Sequence, residues 1–292
     1  MNILISGASG LIGTSLAPYL MKQGHTIYTL KRNQPTASFN WNPDTGIIQL
    51  DNNVHIDAVI NLSGVNIGDK RWNKKRKSDI IQSRINSTRL LVSTISKLES
   101  PPSVFINASA IGYYGDTGQS IKNEYSPAGN NYLSEVVTQW ENATSPLKDT
   151  NIRTVLIRSG VVLTKEGGAL KKMLTPFKLG LGGVIGNGKQ YMSWISLTDE
   201  LKAIEFLLNN DIHGPVNLTA PNPVNNKTFT KALGHALKRP TIFPMPKFVV
   251  KALFGEMGEL LLLGSNRITP DVLNEYGFTF SHPDIDSALM NI

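Results

Sequence analysis

Apolar residues along this chain show two alternating textures: short unbroken runs, and longer stretches in which they return every three or four positions. Asn2-Ile3-Leu4-Ile5-Ser6 is of the first kind and predicts a buried strand. Thr14 to about Gln23 is of the second kind, stopped by Gly24-His25, and Thr26-Ile27-Tyr28-Thr29-Leu30 predicts a second strand. The polar, turn-rich stretch from Asn33 to Asn53 predicts a short hairpin leading into a third buried strand, Ile56 to Leu62. Asp79 to Leu98 carries Ile80, Ile81, Ile85, Leu90, Leu91, Ile95 and Leu98 at helical spacing. After Pro101-Pro102 come a strand at Val104 to Ser109, a helix at Asn131 to Thr144, and a strand at Thr154 to Arg158 entering Ser159 to Leu163. A helix at Asp199 to Asn209 and a strand at Pro215 to Ala220 continue the alternation. Such alternation implies an α/β fold, a doubly wound parallel sheet with helices on both faces.

From Gly167 the texture changes. Gly167-Gly168 and the run Gly180-Leu181-Gly182-Gly183-Val184-Ile185-Gly186-Asn187-Gly188 are too rich in glycine for a packed element, so about 165–195 reads as a mobile loop over a site. Residues 228–292 are helical in pattern with breaks at Pro240, Pro244 and Pro246. The predicted organisation is a large α/β domain over 1–227 and a small, mostly helical substrate-side domain over 228–292.

Composition narrows the classes. The 292 residues are 40% hydrophobic and 17% charged, which is globular, and they contain no cysteine, which excludes disulfides, thiolate metal sites and a thiol nucleophile. His25, His55, His213, His235 and His282 show no metal-ligand spacing. No apolar run reaches the ~18 residues of a membrane span, and the first strand begins at once, leaving no room for a signal peptide. The expectation is a soluble cytoplasmic protein, with no membrane partner. The net charge of +7 is densest at Lys70-Arg71-Trp72-Asn73-Lys74-Lys75-Arg76-Lys77. Nothing resembling a nucleic-acid module accompanies this run, which reads as a solvated helix face, and a positive field also suits an anionic cofactor.

The candidate chemistry begins at Gly7-Ala8-Ser9-Gly10-Leu11-Ile12-Gly13, placed between the first strand and the first helix. A glycine triplet in that context is a dinucleotide-binding signal. Gly7 permits a sharp turn out of the strand, Gly10 removes the Cβ that would hold the backbone away from a pyrophosphate, and Gly13 lets the helix pack closely. The helix N-terminus then offers N–H groups and partial positive charge to the phosphates. At the end of the second strand, where an NAD site places an acid for the ribose 2′-hydroxyl, this chain has Leu30-Lys31-Arg32-Asn33. Arg32 can grip a 2′-phosphate that a carboxylate would repel, so the cofactor read is NADP. Leu62, Ser63 and Gly64, at the end of the third strand, are expected against the adenosine and ribose. Arg84, in the middle of the long helix, could reach a phosphate or stay on the surface.

These segments resemble the short-chain dehydrogenase/reductase superfamily in its extended, sugar-nucleotide-epimerase-like branch. More narrowly, they resemble the group labelled NAD-dependent epimerase/dehydratase or epimerase family protein, some of whose members carry an old label as cell-division inhibitors. The resemblance runs end to end, through Gly7 to Gly13, Asn61-Leu62-Ser63-Gly64, Arg71-Trp72, Ser109-Ala110-Ile111-Gly112-Tyr113-Tyr114-Gly115, Gly168 to Phe177, Gly180-Leu181-Gly182-Gly183, Ser193-Trp194-Ile195, Thr219 to Val224 and Gly255-Glu256-Met257. It implies a Rossmann-type fold and NADP at the glycine turn, at Arg32 and at Leu62-Ser63, with further cofactor contacts from Asp79, Arg84 and Val161. It supplies no agreed substrate. Extended reductases also commonly pair, so a homodimer is implied by analogy.

The same resemblance implies a serine at a strand end and a Tyr-x-x-x-Lys about two dozen residues later, the lysine lowering the tyrosine pKa so that it exchanges a proton with substrate. Ser109 stands at the strand end and Tyr132 follows 23 residues on, but the position four beyond Tyr132 is Val136. Valine carries no charge, so Tyr132 is expected to be a poor base. Tyr113 is the alternative, with pocket lining as its competing role. Two functions remain from this reading. One is an NADP(H)-dependent oxidoreductase or epimerase-like enzyme acting on a small carbonyl, hydroxyl or sugar-nucleotide-like substrate. The other is a catalytically weak NADP(H)-binding regulatory or redox-sensing protein.

Overall fold

The first strand of the sheet is fully buried on both sides because its side chains alternate between two separate cores. In a computed structural model describing residues 1–34 and 36–290, it is β1 (Asn2–Ser6), followed by α1 (Gly13–Lys22) and β2 (Thr26–Thr29). Then come β3 (Lys31–Arg32), β4 (Asn40–Asn42), β5 (Ile47–Gln49), β6 (Ala58–Asn61), α2 (Lys74–Ile95), β7 (Val104–Ala110), α3 (Tyr132–Asn142), β8 (Arg153–Ser159) and β9 (Val161–Leu163). The chain continues with α4 (Gly168–Lys178), β10 (Tyr191–Met192), β11 (Trp194–Ser196), α5 (Leu197–Asn209) and β12 (Gly214–Leu218). It closes with β13 (Val224–Asn225), α6 (Asn226–Ala236), α7 (Lys247–Gly258), α8 (Asp271–Glu275) and α9 (Ile285–Leu289).

The central sheet has the order β12-β8-β7-β6-β1-β2, and every neighbouring pair is parallel. Ile3, Ile5, Ile60, Ile106, Val155 and Ile157 point to the face covered by α1 and α5, where they join Leu16, Leu20, Ile204 and Leu207. Leu4, Val59 and Phe105 point to the other face and meet Leu91, Val92 and Ile95 of α2. Such two-sided burial is why these strands read as unbroken apolar runs. From β1 the chain goes first to β2 on one side and later to β6 on the other, so the order reverses at β1. A crevice at the carboxyl ends of β1 and β6 follows from that reversal.

Several boundaries differ from the sequence pattern for local reasons. The long helix starts at Lys74, not Asp79, because the Asn73 side chain accepts a hydrogen bond from the Arg76 N–H and caps it there. The basic run is therefore mostly the first turn of α2. The predicted hairpin is β4–β5, and β3 pairs parallel to β4, while Trp41 and Phe39 reach into the α2-side core. Val161–Leu163 leaves the central sheet and pairs with β11. Of the glycine-rich stretch about 165–195, residues 168–178 form α4 and the end supplies β10 and β11. Positions 182–186 are tied to the C-terminal part of the chain: Met245 N–H donates to Val184 O at 2.8 Å and Gly186 N–H to Met245 O at 2.9 Å. From residues 228–290, Val272 and Leu273 enter the α1/α5-side core, and Phe229, Leu233, Ile285 and Leu289 pack with Leu170 and Trp194. Among the described residues no helix is long and apolar enough to cross a membrane.

Candidate functional site

The crevice at β1 and β6 is an open pocket of about 540 Å³. Its floor is the turn Gly7-Ala8-Ser9-Gly10, one wall is Leu62-Ser63-Gly64-Val65 with Ser83 and Ser87 of α2, and the far end is Thr29 to Arg32 with Gln34, Trp41 and Pro43. Gly7 has φ +73, and a Cβ there would lie 2.7 Å from the carbonyl carbon and oxygen of Leu62. Only glycine lets these two strand ends close on each other. At Gly13 a Cβ would meet Gly7 O at 2.4 Å, so this glycine packs the helix start onto the turn itself, not directly onto the sheet.

Gly10 is different: an added Cβ would meet Gly7 O at 3.2 Å and nothing else within contact range. The space before it opens to the pocket. No side chain caps α1, and the Leu11 and Ile12 amides have no partner among the described residues. Together these make an anion cradle of backbone donors at a helix N-terminus. The residues present therefore fit a dinucleotide pyrophosphate.

At the adenosine end Arg32 is half-exposed, and its Nη2 donates to Asp44 Oδ2 at 2.8 Å. The acid that the sequence lacks near residue 33 thus arrives from the β4–β5 turn, brought by the hairpin. Lys31 also lines this end. Asp79 is exposed on α2 and does not line the pocket. Arg84 is turned inward: it donates to Val65 O at 3.1 Å and Ile80 O at 2.9 Å, and its guanidinium lies 4.9 Å from the Trp140 ring. Burial lowers its pKa to about 10, so it stays cationic at neutral pH. It backs the pocket wall, since a Cβ on Gly64 would meet it at 3.3 Å. The Val161 amide donates to Ser193 O at 2.9 Å, and Val161 does not line the pocket.

The expected catalytic residues sit beside β7 and β8 in a different setting. The Ser109 hydroxyl is buried and donates to Glu141 Oε1 at 2.5 Å. Arg158 Nε and Nη2 donate to the two Glu141 oxygens, both at 2.8 Å, and Nη1 donates to Tyr114 OH at 2.9 Å. Tyr114 in turn donates to Asn217 Oδ1 at 2.8 Å. Burial opposes the Arg158 charge, but the bidentate bonds and field of Glu141 outweigh it and raise its pKa. Burial also raises Tyr114 to about 12, against the opposing pull of Arg158. Ser109 is thus committed to this internal cluster.

Tyr132 caps the other side of the loop at 64–73. Its hydroxyl donates to the Lys77 carbonyl at 2.9 Å, its ring meets Trp72 edge-on at 5.1 Å, and Lys77 Nζ lies 4.1 Å over it. Burial raises it to about 12, with Arg84 opposing. The Arg158 guanidinium carbon lies over the Tyr113 ring, 3.5 Å from its centre, and the Tyr113 hydroxyl has no hydrogen-bond partner among the described residues.

The comparisons with known proteins agree with this architecture. The model of the NAD dependent epimerase/dehydratase family matches residues 3–218. The chain belongs to that family. A model of a domain of unknown function, DUF1731, matches residues 245–292. The epimerase family protein ML0860 of Mycobacterium leprae is 41% identical, with 98% of this chain and 94% of that one covered. The epimerase family protein YfhF of Bacillus subtilis is 37% identical over 100% of this chain and 98% of its own. A crystal structure of human epimerase family protein SDR39U1 (isoform 2) with NADPH superposes with a TM-score of 0.93 at 34% identity, covering 100% of this chain and 99% of that one.

Asp44, Trp41, Ser83 and Ser87 are the pocket neighbours that sequence reading missed, together with the Glu141–Arg158 pair. Ser83 and Ser87, four apart on one face of α2, left a legible signal, as did a charged residue at the end of the apolar strand run Thr154–Ile157. Asp44 left none. A second hollow of about 730 Å³ between α6 and α9, lined by His235, Lys238, Arg239 and Asp286, shares no residue with the pocket at the glycine turn.

Proposed function

We propose that this protein binds NADP(H) in the pocket at the glycine turn and acts as an oxidoreductase or epimerase-like enzyme on a small carbonyl or hydroxyl substrate, of the kind a sugar nucleotide presents. The observation that carries the reading is the open backbone cradle at Gly10 with Arg32 at its far end, in a chain that superposes on an NADPH-bound relative. In this reading Leu11 and Ile12 donate their amides to the pyrophosphate, Arg32 and Lys31 hold the 2′-phosphate, and Leu62, Ser63 and Gly64 flank the adenosine. When bound, NADP(H) supplies or accepts a hydride.

Tyr113 is the proton-exchanging group of this reading, because its hydroxyl is uncommitted while those of Ser109 and Tyr132 are both spent on internal bonds. Ser109 and Tyr132 then act as positioning residues. Fluorescence titration of the purified chain with NADPH and with NADH tests the cofactor half, and clear preference for NADPH is expected. Binding of neither would refute it. Once a substrate is found, Tyr113→Phe should abolish turnover while leaving NADPH affinity unchanged, and retained turnover would remove Tyr113 from this role.

A second reading, an NADP(H)-responsive regulatory protein with little chemistry, is favoured by one observation: the position of the family lysine is Val136, and Tyr132 bonds a backbone carbonyl. It requires a partner whose affinity differs between the NADPH-loaded and free forms, and equal affinities would sink it.

A further inference from the structure

Large apolar side chains are seldom left in water in a cluster without a purpose. Among the described residues fourteen large apolar side chains are exposed, and seven of them fall in two short segments: Leu179 and Leu181, and Ile242, Phe243, Phe248, Leu253 and Leu261. Phe248 is 72% exposed, and Ile242 and Leu179 are each 69% exposed. The two segments are neighbours in space. Phe243 N–H donates to Gly182 O at 3.4 Å, Ile185 bridges to Met245, and a Cβ on Gly183 would run into Phe243 O. The stretch after α4 and the chain at 242–246 that leads into α7 thus lie together, and each carries exposed apolar side chains that together form one face. Of α7's twelve residues only Val250 and Gly258 are buried.

The two stretches of sequence that build this face carry charges of one sign. Residues 167–198 contain Lys171, Lys172, Lys178 and Lys189 and no acid; residues 212–255 contain Lys227, Lys231, Lys238, Arg239, Lys247 and Lys251 and no acid. All ten cations are exposed. The rest of the chain holds more acids than Lys and Arg, so the net charge of +7 comes from these two stretches. Two acids mark the rim, Glu256 paired with Lys77 and Glu259 paired with Lys251.

We propose that this face lies on an anionic membrane surface, with Phe248, Ile242, Phe243, Leu179 and Leu181 entering the interfacial layer and Lys178 and Lys247 meeting lipid phosphates. Exposed aromatic and aliphatic tips ringed by lysine are the combination that such a surface rewards, through apolar burial and attraction to negative headgroups together. Lying on a bilayer is physically distinct from spanning it, and it needs no long apolar helix. A second copy of this chain is a poor occupant, because a two-fold contact would bring two faces with an excess of cations together. A nucleic acid would use the lysines but leave the leucines and isoleucine nothing to pack on.

The test is cosedimentation of the full chain with vesicles of phosphatidylcholine alone and with phosphatidylglycerol added, across a salt series. Binding is expected to the anionic vesicles, weakening as salt rises. Phe248→Ser should lower partitioning about tenfold, and Lys247→Glu should lower it at low salt, while NADPH binding shows both variants to be folded. Absence of binding to anionic vesicles overturns the proposal. So does binding that Phe248→Ser leaves unchanged, since that is attraction by net charge alone. Sedimentation of the vesicle-free chain as a dimer that Phe248→Ser dissociates also overturns it and assigns the face to a second copy.

Discussion

Two regions stand side by side at the carboxyl ends of the central strands, and they use hydrogen-bonding capacity in opposite ways. At β1 and β6 the chain leaves donors unspent: among the described residues the amides of Leu11 and Ile12 have no partner, and Gly10 just before them lines the open pocket. At β7 and β8 the Ser109, Glu141, Arg158, Tyr114 and Asn217 side chains are bonded one to the next in an unbroken chain. Asn61 joins the two, accepting from the Ser63 amide at 3.2 Å and donating to Asn107 Oδ1 at 2.7 Å. Donors left over at a strand end form a binding site, whereas donors matched internally form a support. That contrast sets the glycine turn apart from the cluster around Ser109.

The contrast can be tested from its strongest side. Glu141→Ala would leave the Arg158 guanidinium buried and unpaired, so stability should fall by about 3–5 kcal/mol in chemical denaturation, with NADPH affinity of the folded fraction retained. Loss of NADPH binding without loss of stability would erase the distinction between the two regions.

Glu200, fully buried with Ser159 at 2.6 Å as its hydrogen-bond donor, gives the next effect. Burial raises its pKa to about 8, with the Ser159 bond opposing. The folded state then resists an ionisation that the unfolded state accepts. Below the ordinary carboxylate range both states are protonated and nothing is lost; as pH climbs from there to about 8, stability falls. The loss is on the order of 3 kcal/mol at most between pH 5 and 8. Glu200→Gln should flatten this slope in melts taken across that range, and an unchanged slope would assign it to other groups.

The pocket side responds in affinity. Arg32→Ala should weaken NADPH about tenfold and leave NADH and the melting temperature nearly unchanged. Smallest of all, Asp44→Asn frees Arg32 from its carboxylate partner and should tighten NADPH only a few-fold, since the pair is solvent-exposed. Weaker NADPH binding in Asp44→Asn would show that Asp44 orients Arg32 instead of competing for it.

Periodicity along the chain fixed the α/β class, the alternation of strands and helices, and the turn at Gly7 to Gly13, because a strand buried on both faces and a turn that tolerates only glycine each leave a local mark. The loss of the lysine at Val136 was equally plain, and with it the expectation that Tyr132 is a poor base. Other features depended on residues distant in sequence. Asp44 reaches Arg32 only because a hairpin folds back beside β3. Ser109 meets Glu141 only because α3 packs under β7. The glycine-rich stretch is tied to Met245 by backbone bonds that no spacing announces. Side-chain type and local period are written into the chain; which donor is spent on which acceptor is decided by packing between elements, and in this protein that choice separates a binding site from a buried support.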